Sequence, residues 1–179
     1  KPVGTSGSNG FTQQSPSVAI NSWRKYITSS KETQAGLASR QIQVPVTTMH
    51  IAWQDFRNSS APGVNDDPDI YYTTMTVEPQ GEFPWPVDFS FGPQEKVNED
   101  DERPWQVAPV EQSDPVVAAT SSGLTLAESE SYNAFVAWSD WRNYSPGDFK
   151  NGDIYFRLFS TVGTPTEFVG GNNVMVNNN

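Results

Sequence analysis

The chain has 179 residues with 21 acidic against 11 basic side chains, and its formal charge of −10 repels phosphate backbones and anionic lipid, which argues against nucleic-acid binding and membrane insertion. It contains no cysteine, so disulfides, thiolate metal sites and cysteine nucleophiles are excluded together. With 13 Gly and 14 Pro it is broken too often for a helical bundle, while 6 Trp, 6 Tyr and 10 Phe supply rings that favour strands.

In chain order, residues 1–13 read as an N-terminal arm. A first unit follows at 14–100, with strands expected near 17–20, 48–56, 69–76 and 94–98. Within it, residues 22–46 are polar and show little hydrophobic periodicity, so an inserted loop is expected there. The stretch from Gly81 to Gly92, with Phe83, Pro84, Trp85, Pro86 and Phe89, reads as an aromatic, proline-rich connection. An acidic linker at 101–111 leads to a second unit at 112–179, with strands expected near 115–120, 133–141, 153–160 and 173–177.

The two units are copies of one repeat. Ile51-Ala52-Trp53-Gln54-Asp55-Phe56-Arg57-Asn58 returns as Val136-Ala137-Trp138-Ser139-Asp140-Trp141-Arg142-Asn143, and Asp69-Ile70-Tyr71 returns as Asp153-Ile154-Tyr155. Upstream, Gln14-Ser15-Pro16-Ser17-Val18-Ala19 parallels Gln112-Ser113-Asp114-Pro115-Val116-Val117-Ala118, and downstream Val97-Asn98 parallels Val176-Asn177. Four antiparallel strands per copy make the blade of a β-propeller. The expected fold is therefore all-β: two four-stranded antiparallel blades, incomplete as a single chain, because each blade needs a neighbour on both faces.

Alternation along a strand puts Trp53, Asp55 and Arg57 on one face, and Trp138, Asp140 and Arg142 likewise. If Arg57 and Asp69 close the hairpin, Asp55 falls opposite Tyr71 and Trp53 opposite Thr73; the second copy would pair Arg142 with Asp153 and Asp140 with Tyr155. Recurrence within one chain favours a packing device over a catalytic one, since a catalytic constellation is needed only once. Asp66, Asp67 and Asp69 in the first hairpin loop, and Asp148 and Asp153 in the second, offer hard oxygen ligands for Ca²⁺, although the same residues also suit turns. Asn58-Ser59-Ser60 and Asn143-Tyr144-Ser145 both fit the N-glycosylation pattern. His50, the one histidine, reads as a strand-edge residue, because no nucleophile elbow accompanies it.

The Trp-x-Asp-x-Arg…Asp-Ile-Tyr pattern resembles the repeat of sialidase-like β-propellers, whose blades carry a BNR or Asp-box turn, Ser-x-Asp-x-Gly-x-Thr-Trp. The resemblance spans about Gln14 to Asn179. Ser160 to Phe168 keeps the Ser, Gly, Thr and aromatic of that turn with Val162 in place of Asp, and Thr76 to Phe83 keeps less. Active members of the family, as the resemblance implies, use an arginine triad, a tyrosine nucleophile paired with glutamate, and an acidic proton donor. Arg57 and Arg142 belong to the repeat, and Arg24, Arg40, Arg103 and Arg157 sit in no matching motif.

The function expected is thus non-catalytic: a surface or assembly protein whose partners are other subunits or further copies that complete the ring. Trp85, Trp105 and Trp141 lie outside the repeated core positions and are candidate anchors for a partner. The same rings could stack on sugars, so a carbohydrate-binding module is the alternative, and a fragment of a sialidase-like glycoside hydrolase is a third reading. No cofactor beyond the candidate Ca²⁺ is implied. The start at Lys1 and the lack of cysteine fit an exported, processed protein, extracellular or at the cell surface.

Overall fold

Side chains that alternate between the two sides of a pleated strand make every strand of this chain two-faced, and the faces decide how the sheets meet. A computed structural model describes residues 12–33, 36–59, 67–79, 86–99, 111–121, 132–142, 152–161, 167–168 and 174–177. All regular elements among them are strands: β1 Gln13–Thr33, β2 Gly36–Asp55, β3 Asp69–Pro79, β4 Val87–Phe91, β5 Glu95–Lys96, β6 Gln112–Ser121, β7 Tyr132–Asp140, β8 Asp153–Thr161, β9 Glu167–Phe168 and β10 Val174–Met175.

Two antiparallel sheets result. In the first the order is β1-β2-β3-β4, with β5 also on β3; in the second it is β6-β7-β8-β10, with β9 also on β8. Each sheet is three strands and a split fourth row. β4 pairs with the far half of β3 through Met75↔Phe91 to Pro79↔Val87, and β5 with the near half through Tyr71↔Lys96. Val87–Phe91, expected as connection, is therefore strand, because Val87, Phe89 and Phe91 alternate with Asp88 and Ser90.

The expected loop at 22–46 is corrected as well. β1 and β2 pair without interruption from Ser22↔Thr47 to Thr33↔Gly36, forming a long two-stranded ribbon. The alternation is present in Ile42, Val44 and Val46, of which both valines are buried, while Arg24, Tyr26, Gln41 and Gln43 on the opposite side are exposed. Pro45 is tolerated because β2 meets β3 only from Thr47 onward, so its missing N–H removes no bond to β3.

Both copies begin with the same irregularity. A β-bulge falls between Gln14 and Ser17 in β1 and between Ser113 and Val116 in β6. At each, one residue turns to positive φ, Ser15 at 51° and Asp114 at 53°, immediately before a proline. The bulge aligns Ser15 with Asp114 and Pro16 with Pro115, so the two segments match without a gap.

One core lies between the sheets. Ala52, Ile70, Tyr72 and Val97 of the first meet Val117, Ala134, Val136, Trp138, Tyr155 and Phe159 of the second, with Ala19 and Ala119 at the margin. Polar contacts cross it too. The Gln54 amide donates to the Gln112 carbonyl at 2.9 Å, the Val117 N–H donates to Ser17 Oγ at 3.0 Å, and Arg157 Nη1 donates to the Val97 carbonyl at 2.8 Å. The faces that meet are not equivalent: Trp138 and Tyr155 lie in the interface, whereas Trp53 and Tyr71 cluster with Ile51, Met49 and Met75 on the far face of the first sheet.

Candidate functional site

The repeated residues build the same clamp twice. The strand that carries Trp and Asp ends at the Asp, and the next two residues turn back, so the Arg two positions on meets the Asp of its own strand. In the first copy Trp53 Nε1 donates to Asp55 Oδ2 at 3.0 Å, the Arg57 N–H to Oδ1 at 2.9 Å, and Arg57 Nη2 to Oδ2 at 2.5 Å. In the second the corresponding distances from Trp138 and Arg142 to Asp140 are 3.2, 2.9 and 2.6 Å. The guanidinium then covers a tyrosine, Arg57 at 3.9 Å from the Tyr71 ring and Arg142 at 4.3 Å from the Tyr155 ring. The tryptophan stacks on the same tyrosine in each copy, at centroid separations of 6.0 and 6.2 Å.

The register differs from the expected one. Asp55 faces Asp69 and Trp53 faces Tyr71, with Asp140 facing Asp153 and Trp138 facing Tyr155. The hairpin is closed by aspartates rather than by an Arg–Asp pair, because each arginine is used within its own turn. Two carboxylates placed opposite each other repel unless cations and donors surround them. Asp69 receives Lys96 Nζ at 2.7 Å, the Asn98 amide at 2.7 Å and the Asn58 amide. Asp153 receives the Asn177 amide at 3.3 Å.

Asn98 and Asn177 are the residues that sequence reasoning left without a role, although the Val-Asn recurrence carried the signal. Each asparagine donates to its Asp while its Oδ1 accepts the backbone N–H after that Asp, Ile70 at 2.8 Å and Ile154 at 2.5 Å. The preceding valine continues the ladder, Val97 N–H to the Ile70 carbonyl at 2.7 Å and Val176 N–H to the Ile154 carbonyl at 2.8 Å. One short segment thus ties the outer row to the start of the third strand in both copies.

The electrostatics follow this geometry. Burial pushes the Asp55 carboxyl up, but hydrogen bonds from Arg57 and Trp53 outweigh it and hold it below its ordinary value. The Arg57 guanidinium is in turn held more firmly protonated by its bond to Asp55. Burial raises the Tyr71 phenol.

His50 is not a strand-edge residue in the solvated sense, since it is buried on the face that meets the second sheet. Its Nδ1 lies 2.6 Å from the Tyr72 hydroxyl and its Nε2 3.4 Å from Asn21 Oδ1. Burial lowers its pKa to about 4.

Of the three candidate anchors, Trp141 is exposed, and Trp85 and Trp105 lie outside the described residues. Of the candidate Ca²⁺ ligands, Asp66 and Asp148 also lie outside them. Asp67 is half-buried with its N–H on Ser59 Oγ, and the Asp69 and Asp153 carboxylates belong to the clamps. Among the described residues no group of three or more His, Cys, Asp or Glu side chains is placed to hold a metal. Asn58 is exposed, with its amide on Asp69, and Asn143 lies outside the described residues. Arg24 and Arg40 are exposed on the ribbon and Arg157 reaches across the interface to Val97 and, at 3.8 Å, Glu99. Arg103 lies outside the described residues. No described helix is long and apolar enough to cross a membrane.

No protein-family model matches this sequence, no curated protein matches it, and no solved structure matches the fold.

Proposed function

We propose that the chain is a non-catalytic segment of a sialidase-like β-propeller, two neighbouring blades that serve as an extracellular or cell-surface assembly protein through protein–protein contacts. One observation carries the reading: the two copies meet through unequal faces, the Tyr72 side of the first on the Trp138 side of the second. A shared core alone would suit a closed sandwich. If two copies of one repeat closed on themselves about a pseudo-twofold axis, equivalent faces would meet, and both tryptophans would lie inside or both outside. Stacking in one sense instead uses a different face of each copy, as blades around a ring do, and it calls for further neighbours. The clamps then serve each blade as packing devices, which suits their duplication.

Size-exclusion chromatography with light scattering tests the reading. Species heavier than the 19.8 kDa chain are expected at micromolar concentration. A folded monomer at every concentration would overturn it.

The alternative, a carbohydrate-binding module, draws on Trp141, whose exposed ring stands beside the backbone of Gly152, so close that a Cβ there would meet Cε2 and Cζ2 at 3.2 Å. Tryptophan fluorescence that responds to sugars and is abolished by Trp141→Ala would favour it.

A further inference from the structure

The two faces left outside the internal interface repeat its two halves. On the far face of the first sheet, Val18, Ile20 and Met75 occupy the positions that Val117, Ala119 and Phe159 hold in the second. On the far face of the second sheet, Val116, Ile154 and Phe156 occupy the positions of Ser17, Ile70 and Tyr72. The far faces therefore carry both sides of a contact the molecule already makes once. They are also strongly apolar: Val18 is 54%, Ile20 58%, Val116 62% and Ile154 40% exposed. Positions that are polar inside become apolar outside, with Phe135 standing where His50 stands and Val116 where Ser17 stands. β-Branched side chains this exposed on one sheet face are costly in water unless something covers them. Trp53 and Tyr71, at the centre of the first sheet's far face, are already buried, so its free area is the rim of Val18, Ile20, Phe89 and Phe91.

We infer that a second copy of this chain docks head to tail, the rim around Trp53 of one copy seating on the Val116, Ile154 and Phe156 face of the next. The inference rests on the stacked reading above and adds to it the surface and its occupant. The internal contact is the template. Ser17 Oγ accepts from the Val117 N–H at 3.0 Å and Tyr72 stacks on Phe159 at 4.0 Å. Carried to the far faces, that geometry sets Val116 beside Val18 of the next copy and Phe156 beside Met75 of the next copy, a ring and a thioether that attract each other. A contact between unequal faces leaves one free face at each end of a pair, so it continues until a ring closes or a filament grows.

The lack of cysteine gives a clean test. Val18 and Val116 lie on opposite outer faces of two stacked sheets, so cysteines at these positions are too far apart to join within one chain. The Val18→Cys/Val116→Cys variant is expected, under mild oxidation, to give disulfide-linked multimers that collapse to 19.8 kDa on reduction. Ser17→Cys/Val117→Cys is the internal control and is expected to close within one chain. If the control closes but no linked multimers form, the docking mode is overturned while the stacked reading stands. If the control also fails, both fall. Val116→Lys and Ile154→Lys change exposed positions, so circular dichroism should stay unchanged while association weakens about tenfold or more, since a buried lone ammonium costs at least that much. Retained assembly in both lysine variants would overturn the inference.

Discussion

Tyr72 of the first sheet and Phe159 of the second stack with centroids 4.0 Å apart and their planes 26° from parallel, and both side chains are fully enclosed. This pair joins the two copies across the shared core. Phe159→Ala removes a whole ring from a close-packed site and is expected to cost about 3–5 kcal/mol, read as a fall in the urea midpoint. Tyr72→Phe keeps the ring but takes away the hydroxyl that meets His50 Nδ1, and about 1–3 kcal/mol should be lost. Equal losses for the two variants would mean that the hydroxyl's bond to His50 within the first sheet matters as much as the ring stack between the sheets.

The two arginines of the clamps should not count equally. Arg142 is 4% exposed and Arg57 30%, while Asp140 and Asp55 are both enclosed. Arg142→Ala strands a buried carboxylate and is expected to cost about 3–5 kcal/mol. Arg57→Ala lets water reach Asp55 and should cost clearly less. Chemical denaturation of both variants at pH 7 gives the comparison, and a larger loss at Arg57 would contradict the burial argument.

Acid should weaken the fold first through His50. Its pKa falls from 6.5 unfolded to about 4 in the folded chain because burial disfavours the charged ring. Between those values the unfolded chain binds the extra proton, so stability rises with pH across the window and is complete above about 6.5. A shift of this size corresponds to about 3 kcal/mol lost between pH 7 and 4. Asp55, already depressed below its ordinary 3.8, acts only at still lower pH, so the two effects separate. In His50→Gln the slope of melting temperature against pH between 6.5 and 4 should flatten, and an unchanged slope would remove His50 from the account.

The bulge residues give a backbone prediction. Asp114 at φ 53° is in the left-handed region, which a β-branched residue enters at a cost of about 1–2 kcal/mol. Asp114→Val should lower the melting temperature, whereas Asp114→Gly should leave it unchanged or raise it. The same order is expected at Ser15, which holds the equivalent place. If valine proved as stable as glycine, the bulge would not need this conformation.

Much of this was legible because the physics is local. The alternation in Ile51-Ala52-Trp53-Gln54-Asp55 identifies the strand and its two faces, and its return at Val136 identifies the second copy. The ribbon at 22–46 escaped because only its β2 side alternates over three apolar residues, Ile42, Val44 and Val46, while on the β1 side Lys25 separates Trp23 from Ile27 and the rest, from Thr28 to Thr33, is polar. The hairpin register escaped for another reason. Composition favours an Arg–Asp closure, but the turn after Asp55 curls back and spends Arg57 on its own strand, leaving Asp55 to face Asp69.

Strand periodicity and recurrence are properties of neighbouring residues, and they suffice for the all-β class, the duplication and the Trp, Asp, Arg, Asp and Tyr members of each clamp. Which face of one copy meets which face of the other, the enclosure of His50 at the seam, and the completion of the clamps by Asn98 and Asn177 come from the packed sheets alone. Those depend on residues far apart in the chain, and a side chain's face says nothing of its occupant until the sheets are laid together.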